Sequence, residues 1–283
     1  MKPIELHLYL PFSYWRERDA ETGVRLLRPD ERNVAGYLRA LCEELRGMAG
    51  EFQDCEVAAI RFRGGYLSLL DAEELKSLLS LVRRVFPVQS GCPVCGTMFP
   101  GRLDMEMIAL YRDLRVSPLL FELPSLSFRE CERLGYPVML QALDKTVYFL
   151  QNFSEEEWGL RLPIGLPGRD EGVWRFLLGQ LYHYQPKYLQ FFTIAPDVKE
   201  SPAFALCCEE LEGHGYRHFA ENGYARAESV PRLLLEPAGE YIGAGLGARS
   251  RIDGFRVQST ADPALYQRRC ASWRELITSV TEV

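Results

Sequence analysis

The stretch Leu6–Phe12, LHLYLPF, decides the fold of this chain. It completes an apolar run that predicts a first β-strand over Ile4–Leu10. A helical pattern capped by Asp30 and ended by Gly50 comes next, and the apolar stretch Val57–Phe62 predicts a second strand. A strand, a helix and another strand in this order are typical of a parallel sheet with crossover helices.

The alternation of strand and helix patterns continues for about six units. Asp71 and Glu74 form a capping box that predicts the start of the second helix. The later predicted elements are strands over Cys92–Met98, Leu119–Glu122, from Trp158 onward and over Tyr188–Ile194, and helices over Leu103–Leu114, Met139–Leu150 and Val173–Leu181. A closed barrel needs eight such units. We therefore predict an α/β protein with an open, partial (β/α)6 barrel of the TIM-like kind.

The C-terminal part of the chain has a different pattern. A helix is predicted over Pro202–Glu212, short strands near Phe219, Leu233–Leu235 and Phe255, and a closing helix over Pro263–Val280. No low-complexity linker forces a domain cut. We predict a barrel over residues 1–200 and a short α+β extension over residues 201–283 packed on it.

Composition excludes several classes of protein. With 283 residues, 47% of them hydrophobic, the chain can form a large core, so disorder as the main state is excluded. The net charge of −6 leaves no basic stripe for nucleic acid. No apolar run reaches the ~18 residues of a membrane span. We do not expect Met1–Phe12 to be a signal peptide, because Glu5 and His7 interrupt its apolar stretch and no small-residue cleavage site follows it. We expect a cytoplasmic protein whose eight cysteines are reduced thiols.

Polar residues on the predicted strands suggest a site. His7 and Tyr9 alternate with apolar neighbours and should face one side of the first strand, either lining a site or hydrogen-bonded within the barrel. Arg61, Arg63 and Arg161 fall near the ends of neighbouring strands. They could form an anion pocket or could neutralise the acids Glu17 and Glu122.

Two groups of soft ligands are candidate metal sites. Cys92 and Cys95 have the CxxC spacing of redox dithiols and half a zinc site, but no second pair completes a tetrahedron. Cys207 and Cys208 precede His214 and His218, and such a group of side chains could ligate Zn²⁺ or haem iron. Ordinary packing explains both groups as well, so we expect no metal site.

Four blocks of the sequence, taken in order, resemble the oxygen-independent coproporphyrinogen III oxidase and haem-chaperone branch of the radical SAM family. The match extends from residue 4 to about residue 260 and rests on LHLYLPF, on RFRGGYLSLL (Arg61–Leu70), on Val94–Asp104 with Arg115–Gly135, and on GLRLPIGLPG (Gly159–Gly168) with the later YARAES and YIGAGLGARS. The resemblance implies a barrel that holds a 4Fe–4S cluster and S-adenosylmethionine at the carboxyl ends of its strands.

The cluster ligands implied by the resemblance are missing. The family has three cysteines at C-x3-C-x2-C spacing directly after the first strand, and these positions are Ser13, Glu17 and Ala20 here. Because thiolates ligate the irons of such clusters, we predict no 4Fe–4S cluster and no reductive cleavage of S-adenosylmethionine.

The cofactor pocket implied by the resemblance is altered as well. Arg63 replaces the first of three glycines after the second strand, Gly64 and Gly65 remain, and Tyr66 follows where the family has threonine. The complete predicted ligand pocket consists of His7, Tyr9, Ser13, Glu17, Arg63, Gly64, Gly65, Tyr66, Ser125 and Arg161.

These observations favour a cluster-free pseudoenzyme of the radical SAM fold that binds a ligand, with a tetrapyrrole such as haem in view, or a partner protein. A repurposed enzyme that uses the old pocket for non-radical chemistry on S-adenosylmethionine or a small anion is the first alternative. A regulatory subunit of an intact radical SAM paralogue is the second. The resemblance does not identify catalytic residues in this chain.

Overall fold

The architecture is taken from a computed structural model of the chain. It describes residues 1–19, 21–100, 103–137, 140–153, 157–194, 202–226, 228 and 230–282. Ala20 of the predicted cluster positions and Met139 of a predicted helix lie outside the described residues.

Six parallel strands, taken in chain order, form the centre of one sheet. They and their helices are β1 (Lys2–Leu10), α1 (Glu31–Met48), β2 (Cys55–Tyr66), α2 (Ala72–Val85), β3 (Val94–Met98), α3 (Met105–Asp113), β4 (Leu119–Glu122), α4 (Phe128–Arg133), α5 (Leu140–Phe153), β5 (Trp158–Ile164), α6 (Glu171–Tyr184) and β6 (Tyr188–Thr193). Each strand from β1 to β5 pairs in parallel with its successor. This pattern is the predicted βα repeat.

The C-terminal residues extend this sheet at both edges. Their elements are α7 (Pro202–Gly213), β7 (Arg217–Ala220), β8 (Gly223–Ala225), β9 (Tyr241–Ala244), β10 (Arg249–Ile252), β11 (Phe255–Ser259), α8 (Pro263–Arg269), α9 (Trp273–Leu276) and β12 (Ile277–Glu282). The sheet order is β12-β11-β10-β9-β1-β2-β3-β4-β5-β6-β8-β7. Since β1 and β6 each pair with a C-terminal strand rather than with one another, the sheet of the described residues is open, as predicted.

Local signals position the first two helices. The Asp30 side chain accepts a hydrogen bond from the Asn33 backbone N–H, and the Asn33 side chain accepts one from the Asp30 N–H. Asp71 and Glu74 make the same reciprocal contacts at α2, which confirms the predicted capping box. These contacts satisfy amide donors that lack partners inside the helix.

The main core lies between the sheet and its helices. Leu6, Leu8 and Leu10 of β1 are fully buried in it, together with Leu41 and Leu45 of α1. Alternation along β1 then directs its polar residues to the opposite face of the sheet. No helix of the described residues is both long and apolar enough to cross a membrane.

Two predicted C-terminal elements were wrong. The predicted strand Leu233–Leu235 is instead a 3-10 helix over Arg232–Leu234, in which the consecutive residues Leu233 and Leu234 are both buried. The carbonyl oxygens of both leucines accept hydrogen bonds from side chains of the sheet, which replaces strand pairing.

The predicted closing helix also ends early. Only Pro263–Arg269 and Trp273–Leu276 are helical, and Ile277–Glu282 forms β12. β-Branched residues are abundant in that segment, and it pairs antiparallel with β11. Pairing with the edge of β11 therefore stabilises this segment as a strand, although its sequence periodicity predicts a helix.

Candidate functional site

The inner face of the parallel strands is unusually polar. In register, His7 of β1 lies beside Arg61 of β2, and Tyr9 lies beside Arg63. Across the sheet, Glu122 of β4 pairs with Arg161 of β5. Buried polar side chains need partners or a ligand, so this face is the candidate site.

A cavity of about 580 Å³ opens against this face. Arginine side chains from the loop after β1 and from β2 and β5 line it, with acids from that loop and from the segment after the 3-10 helix between them. The charged lining residues used below are Arg16, Arg61, Arg63, Arg161, Asp19, Glu21 and Glu236, and the apolar ones include Leu120, Phe192 and Leu233.

Arg16 was not singled out from the sequence, yet its guanidinium links several strand ends. Its side chain is 6% exposed, its Nε lies 3.1 Å from Oε1 of the fully buried Glu122, and its Nη2 donates to the Gly64 carbonyl at 2.6 Å. Nη1 is 3.5 Å from Asp19 Oδ2. Arg16 is therefore a buried cation held by β2, by β4 and by its own loop.

Glu122 also binds Arg161. The Arg161 Nη1 donates to Glu122 Oε2 at 2.6 Å, and the Arg161 guanidinium lies 4.3 Å from the centroid of the Phe192 ring. Of the two predictions made for the arginines, an anion pocket or ion pairs with Glu17 and Glu122, Arg161 therefore follows the second, because it pairs with Glu122. Glu17, the other acid of that alternative, is exposed.

Arg61 and His7 share the carboxylate of Glu5. Arg61 donates to Glu5 from Nε at 2.5 Å and from Nη2 at 3.3 Å, and its Nη1 donates to Leu233 O at 2.6 Å. Burial raises the pKa of Glu5, but the hydrogen bonds with His7 and Arg61 outweigh it and lower the pKa to about 2. Glu5 is therefore a buried anion that sequence analysis missed.

His7 is neutral at pH 7. Burial is the largest cause that lowers its pKa, to about 4, and outweighs the hydrogen bond to Glu5. The Nε2 atom lies 3.4 Å from Glu5 Oε2, while Nδ1 has no hydrogen-bond partner, and the ring stacks on Tyr241. His7 and Tyr9 are both on the inner face, as predicted, but both are buried behind the cavity lining.

The ten residues of the predicted pocket occupy different places. Among them, Arg63, Gly64 and Arg161 line the 580 Å³ cavity of the described structure. Ser13 and Glu17 line a smaller cavity of about 330 Å³ beside the loop after β1. Tyr66 is fully buried in the core, where its hydroxyl accepts a hydrogen bond from Trp15 Nε1.

Ser125 and Gly65 serve local packing. The Ser125 hydroxyl donates to Glu130 and accepts from the Ser127 amide. A Cβ at Gly65 would overlap the carbonyl oxygens of Phe12 and Leu10. The backbone expected to approach a cofactor is thus packed against the end of β1.

The candidate metal ligands are dispersed. Cys95 lines the cavity, whereas Cys92 is buried before β3. His214 and His218 are exposed, each with a ring nitrogen near a backbone carbonyl. Among the described residues, no three His, Cys, Asp or Glu side chains are grouped to hold a metal ion, and burial raises the pKa of Cys95.

The residues present do not fit the cluster that the fold family implies. Ser13 Oγ accepts hydrogen bonds from the backbone N–H groups of Trp15 and Arg16. Glu17 is exposed. The buried guanidinium of Arg16 lies between these two positions in sequence. A serine hydroxyl and a carboxylate do not replace the thiolates of such a cluster.

Comparison with known proteins adds to this picture. No family model matches the sequence. The chain is 21% identical to the heme chaperone HemW of Synechocystis sp. over 96% of its length, covering 72% of that protein. It is 22% identical to heme chaperone HemW of Bacillus subtilis over 79% of its length and spans 65% of that relative.

The structure superposes on coproporphyrinogen III oxidase HemN of Escherichia coli, a radical SAM enzyme, with a TM-score of 0.84 and 15% identity. The match covers all of this chain and 72% of HemN. The fold is therefore an α/β barrel of the radical SAM type.

Within that class, the two HemW relatives and the HemN structure support the resemblance read from the four sequence blocks. The chain is related to the HemN/HemW-like branch of the radical SAM proteins.

Proposed function

We propose that this chain is a tetrapyrrole-binding protein that handles haem in the cavity at the strand ends and works without a 4Fe–4S cluster. Both curated relatives are named heme chaperones. We propose that this chain binds the same class of ligand as those relatives but does not carry out radical SAM chemistry.

The buried cation Arg16 is the observation that carries the proposal. Its guanidinium pairs with Glu122 and binds the Gly64 carbonyl at the end of the strands. This guanidinium gives the buried Glu122 carboxylate a counter-charge and the Gly64 carbonyl a donor, which supports a site whose charge is balanced by protein groups. Burial of such a charge is costly unless it is paired in this way.

The size and the mixed lining of the cavity support a ligand that has both apolar surface and carboxylate groups. Its volume of about 580 Å³ falls within the range of ~300–1,000 Å³ typical of small-molecule sites. Leu120, Phe192 and Leu233 supply apolar surface, and Arg63 brings a donor without a partner to the lining. A tetrapyrrole has an apolar macrocycle with polar substituents at its edge, which matches this distribution.

Haem titration tests the proposal. We expect one haem per chain, seen as a saturable change of the Soret band. Leu120→Trp should weaken binding at least tenfold, because the larger ring fills the cavity, whereas Leu206→Trp on the exposed face of α7 should leave it unchanged. Binding that Leu120→Trp does not weaken would contradict a site in this cavity.

A second experiment tests the cluster-free part of the proposal. Anaerobic reconstitution with iron and sulfide should produce no stoichiometric 4Fe–4S absorbance, and stoichiometric incorporation would overturn the pseudoenzyme interpretation. Native mass spectrometry of protein purified gently from its own host separates the alternatives. Bound S-adenosylmethionine would favour the repurposed enzyme, and a bound radical SAM paralogue would favour the regulatory subunit.

A further inference from the structure

The four arginines of the cavity differ in how completely their donors are used. Arg61 binds Glu5 through both Nε and Nη2 and gives Nη1 to Leu233 O. Arg16 and Arg161 share the buried carboxylate of Glu122. Arg16 and Arg63 each have a buried Nε without a hydrogen-bond partner. Arg16 Nε still lies 3.1 Å from Glu122 Oε1, whereas the carboxylate contacts of Arg63 are made through its terminal nitrogens, so Arg63 is the exception in the cavity.

The contacts of Arg63 are few and one-sided. Its Nη2 donates to one oxygen of Glu236 at 3.0 Å, and its Nη1 lies 3.9 Å from Glu21. The Arg63 side chain is 19% exposed and lines the cavity. A carboxylate can accept from Nε and a terminal nitrogen at once, and this two-point geometry is the strongest that arginine offers. At Arg63 only half of that geometry is used.

The carboxylate that Glu236 provides is itself replaceable. The Glu236 side chain is 84% exposed, so its departure into water costs little. Its backbone follows the 3-10 helix Arg232–Leu234, which Arg61 and Gln190 hold through the carbonyl oxygens of Leu233 and Leu234. The side chain can therefore leave Arg63 while the segment stays in place.

A second buried group lies next to Arg63. Tyr9 is its register partner on β1, 3% exposed, and its hydroxyl has no hydrogen-bond partner. Both groups lie on the inner face of the sheet. Tyr9 and Arg63 thus each have a buried polar atom without a hydrogen-bond partner, and both lie where β1 and β2 pair.

We propose that Arg63 is a carboxylate-binding subsite of the cavity, occupied by Glu236 in the free protein and by a carboxylate of the ligand in the complex. The inference rests on the proposed function, because haem carries two propionate groups that supply such a carboxylate. Glu236 is then an internal competitor, and ligand binding exchanges one carboxylate for another. The Tyr9 hydroxyl, which has no hydrogen-bond partner, is a second donor next to Arg63.

Haem and haem dimethyl ester, in which both carboxylates are masked, form the test pair. Arg63→Met should weaken haem binding about tenfold, the size expected for losing a two-point charged contact that exchanges with an internal one. Glu236→Gln should strengthen it several-fold, since the competitor is gone. Neither substitution should change the affinity for the ester.

Two further variants make the result specific. Arg63→Lys keeps the positive charge but not the two-point geometry, and it should weaken haem binding nearly as much as Arg63→Met. The exposed pair Arg46 and Glu43 on α1 supplies controls of the same chemistry, Arg46→Met and Glu43→Gln, which should leave haem binding unchanged. Thermal unfolding checks that each variant is folded.

The outcomes separate the two proposals. If wild-type protein binds neither haem nor its ester, the proposed function fails and the subsite fails with it. If haem binds in the cavity but Arg63→Met, Arg63→Lys and Glu236→Gln all bind it as the wild type does, the subsite alone is overturned. Equal loss of haem and ester in Arg63→Met also overturns it, because the effect then does not depend on a carboxylate.

Discussion

Arg16 Nε lies 3.1 Å from Glu122 Oε1, and the two side chains, one from the loop after β1 and one from the end of β4, are shielded from solvent. Arg161 binds the other oxygen of Glu122 at 2.6 Å. One buried carboxylate thus holds two arginines. This network connects strands that are distant in sequence, and its energetic weight can be measured.

Replacing Arg16 with Met should destabilise the protein by about 3 kcal/mol, because Glu122 stays buried with one cation fewer. Urea denaturation measures the change. Arg18→Met is the control in the same loop, since Arg18 is exposed and binds only the Gly23 carbonyl among its described hydrogen bonds. Similar stability of the two variants would show that the Arg16 network contributes little.

Gly65→Ala should cost about 2 kcal/mol of unfolding free energy, since the added methyl group overlaps the backbone oxygens of Phe12 and Leu10. Those oxygens belong to the backbone at the end of β1 and just after it, and they cannot rotate away as a flexible side chain can. Gly50→Ala is the matched control, because a Cβ there meets no atom within 4 Å. A Gly65→Ala protein as stable as Gly50→Ala would contradict the close packing of this edge.

Glu44 should make stability depend on pH. Burial raises its pKa to about 7, against hydrogen bonds from Tyr266 and the Gly245 amide that lower it. The folded state therefore binds a proton that the unfolded chain, with the ordinary value of 4.5, releases earlier. Stability should fall as pH rises from about 4.5 to about 7, by on the order of 3 kcal/mol in total.

Glu44→Gln tests this pH dependence. The glutamine oxygen can accept from Tyr266 and Gly245, which both bind Oε2, and its amide takes the place of the unpartnered Oε1. Relative to wild type, the variant should gain stability between pH 5 and pH 8, measured by urea midpoints. A parallel pH profile in both proteins would show that Glu44 does not titrate in this range.

His214→Ala and His218→Ala should leave the Soret spectrum of the haem complex unchanged. Both histidines are exposed, and neither lines the cavity of the described structure. His214 stacks on Tyr182, and His218 has its Nε2 3.1 Å from the Glu221 carbonyl oxygen. A spectral change in either variant would identify an axial ligand outside the cavity and relocate the haem site.

The sequence predicted the features that depend on neighbours along the chain. The capping box of Asp71 and Glu74 and the alternation in β1 are local patterns, and both are present in the structure. The four blocks also identified the radical SAM fold, which the superposition on HemN supports. The closing helix failed for a tertiary reason, since the free edge of β11 pairs with Ile277–Glu282.

The partners of the charged residues could not be read from the chain. Arg61, Arg63 and Arg161 were predicted together, yet the structure gives them Glu5, Glu236 and Glu122 respectively as their nearest carboxylates. One sequence feature could have drawn attention to Arg16. It is a charged residue next to Trp15, and it lies between Ser13 and Glu17, two positions that the resemblance assigns to cluster ligands.

The sequence alone determined the repeat of parallel strands and crossover helices from β1 to β6, because that repeat follows from which residues stand next to one another. It also has Ser13, Glu17 and Ala20, and no cysteine, at the positions where the resemblance implies cluster ligands. Tertiary structure decided that Arg16 reaches Glu122 and that Arg63 is left incompletely paired. Ion pairs form between side chains that the sheet brings together from separate strands and loops, and the strength of each pair depends on burial that only packing creates.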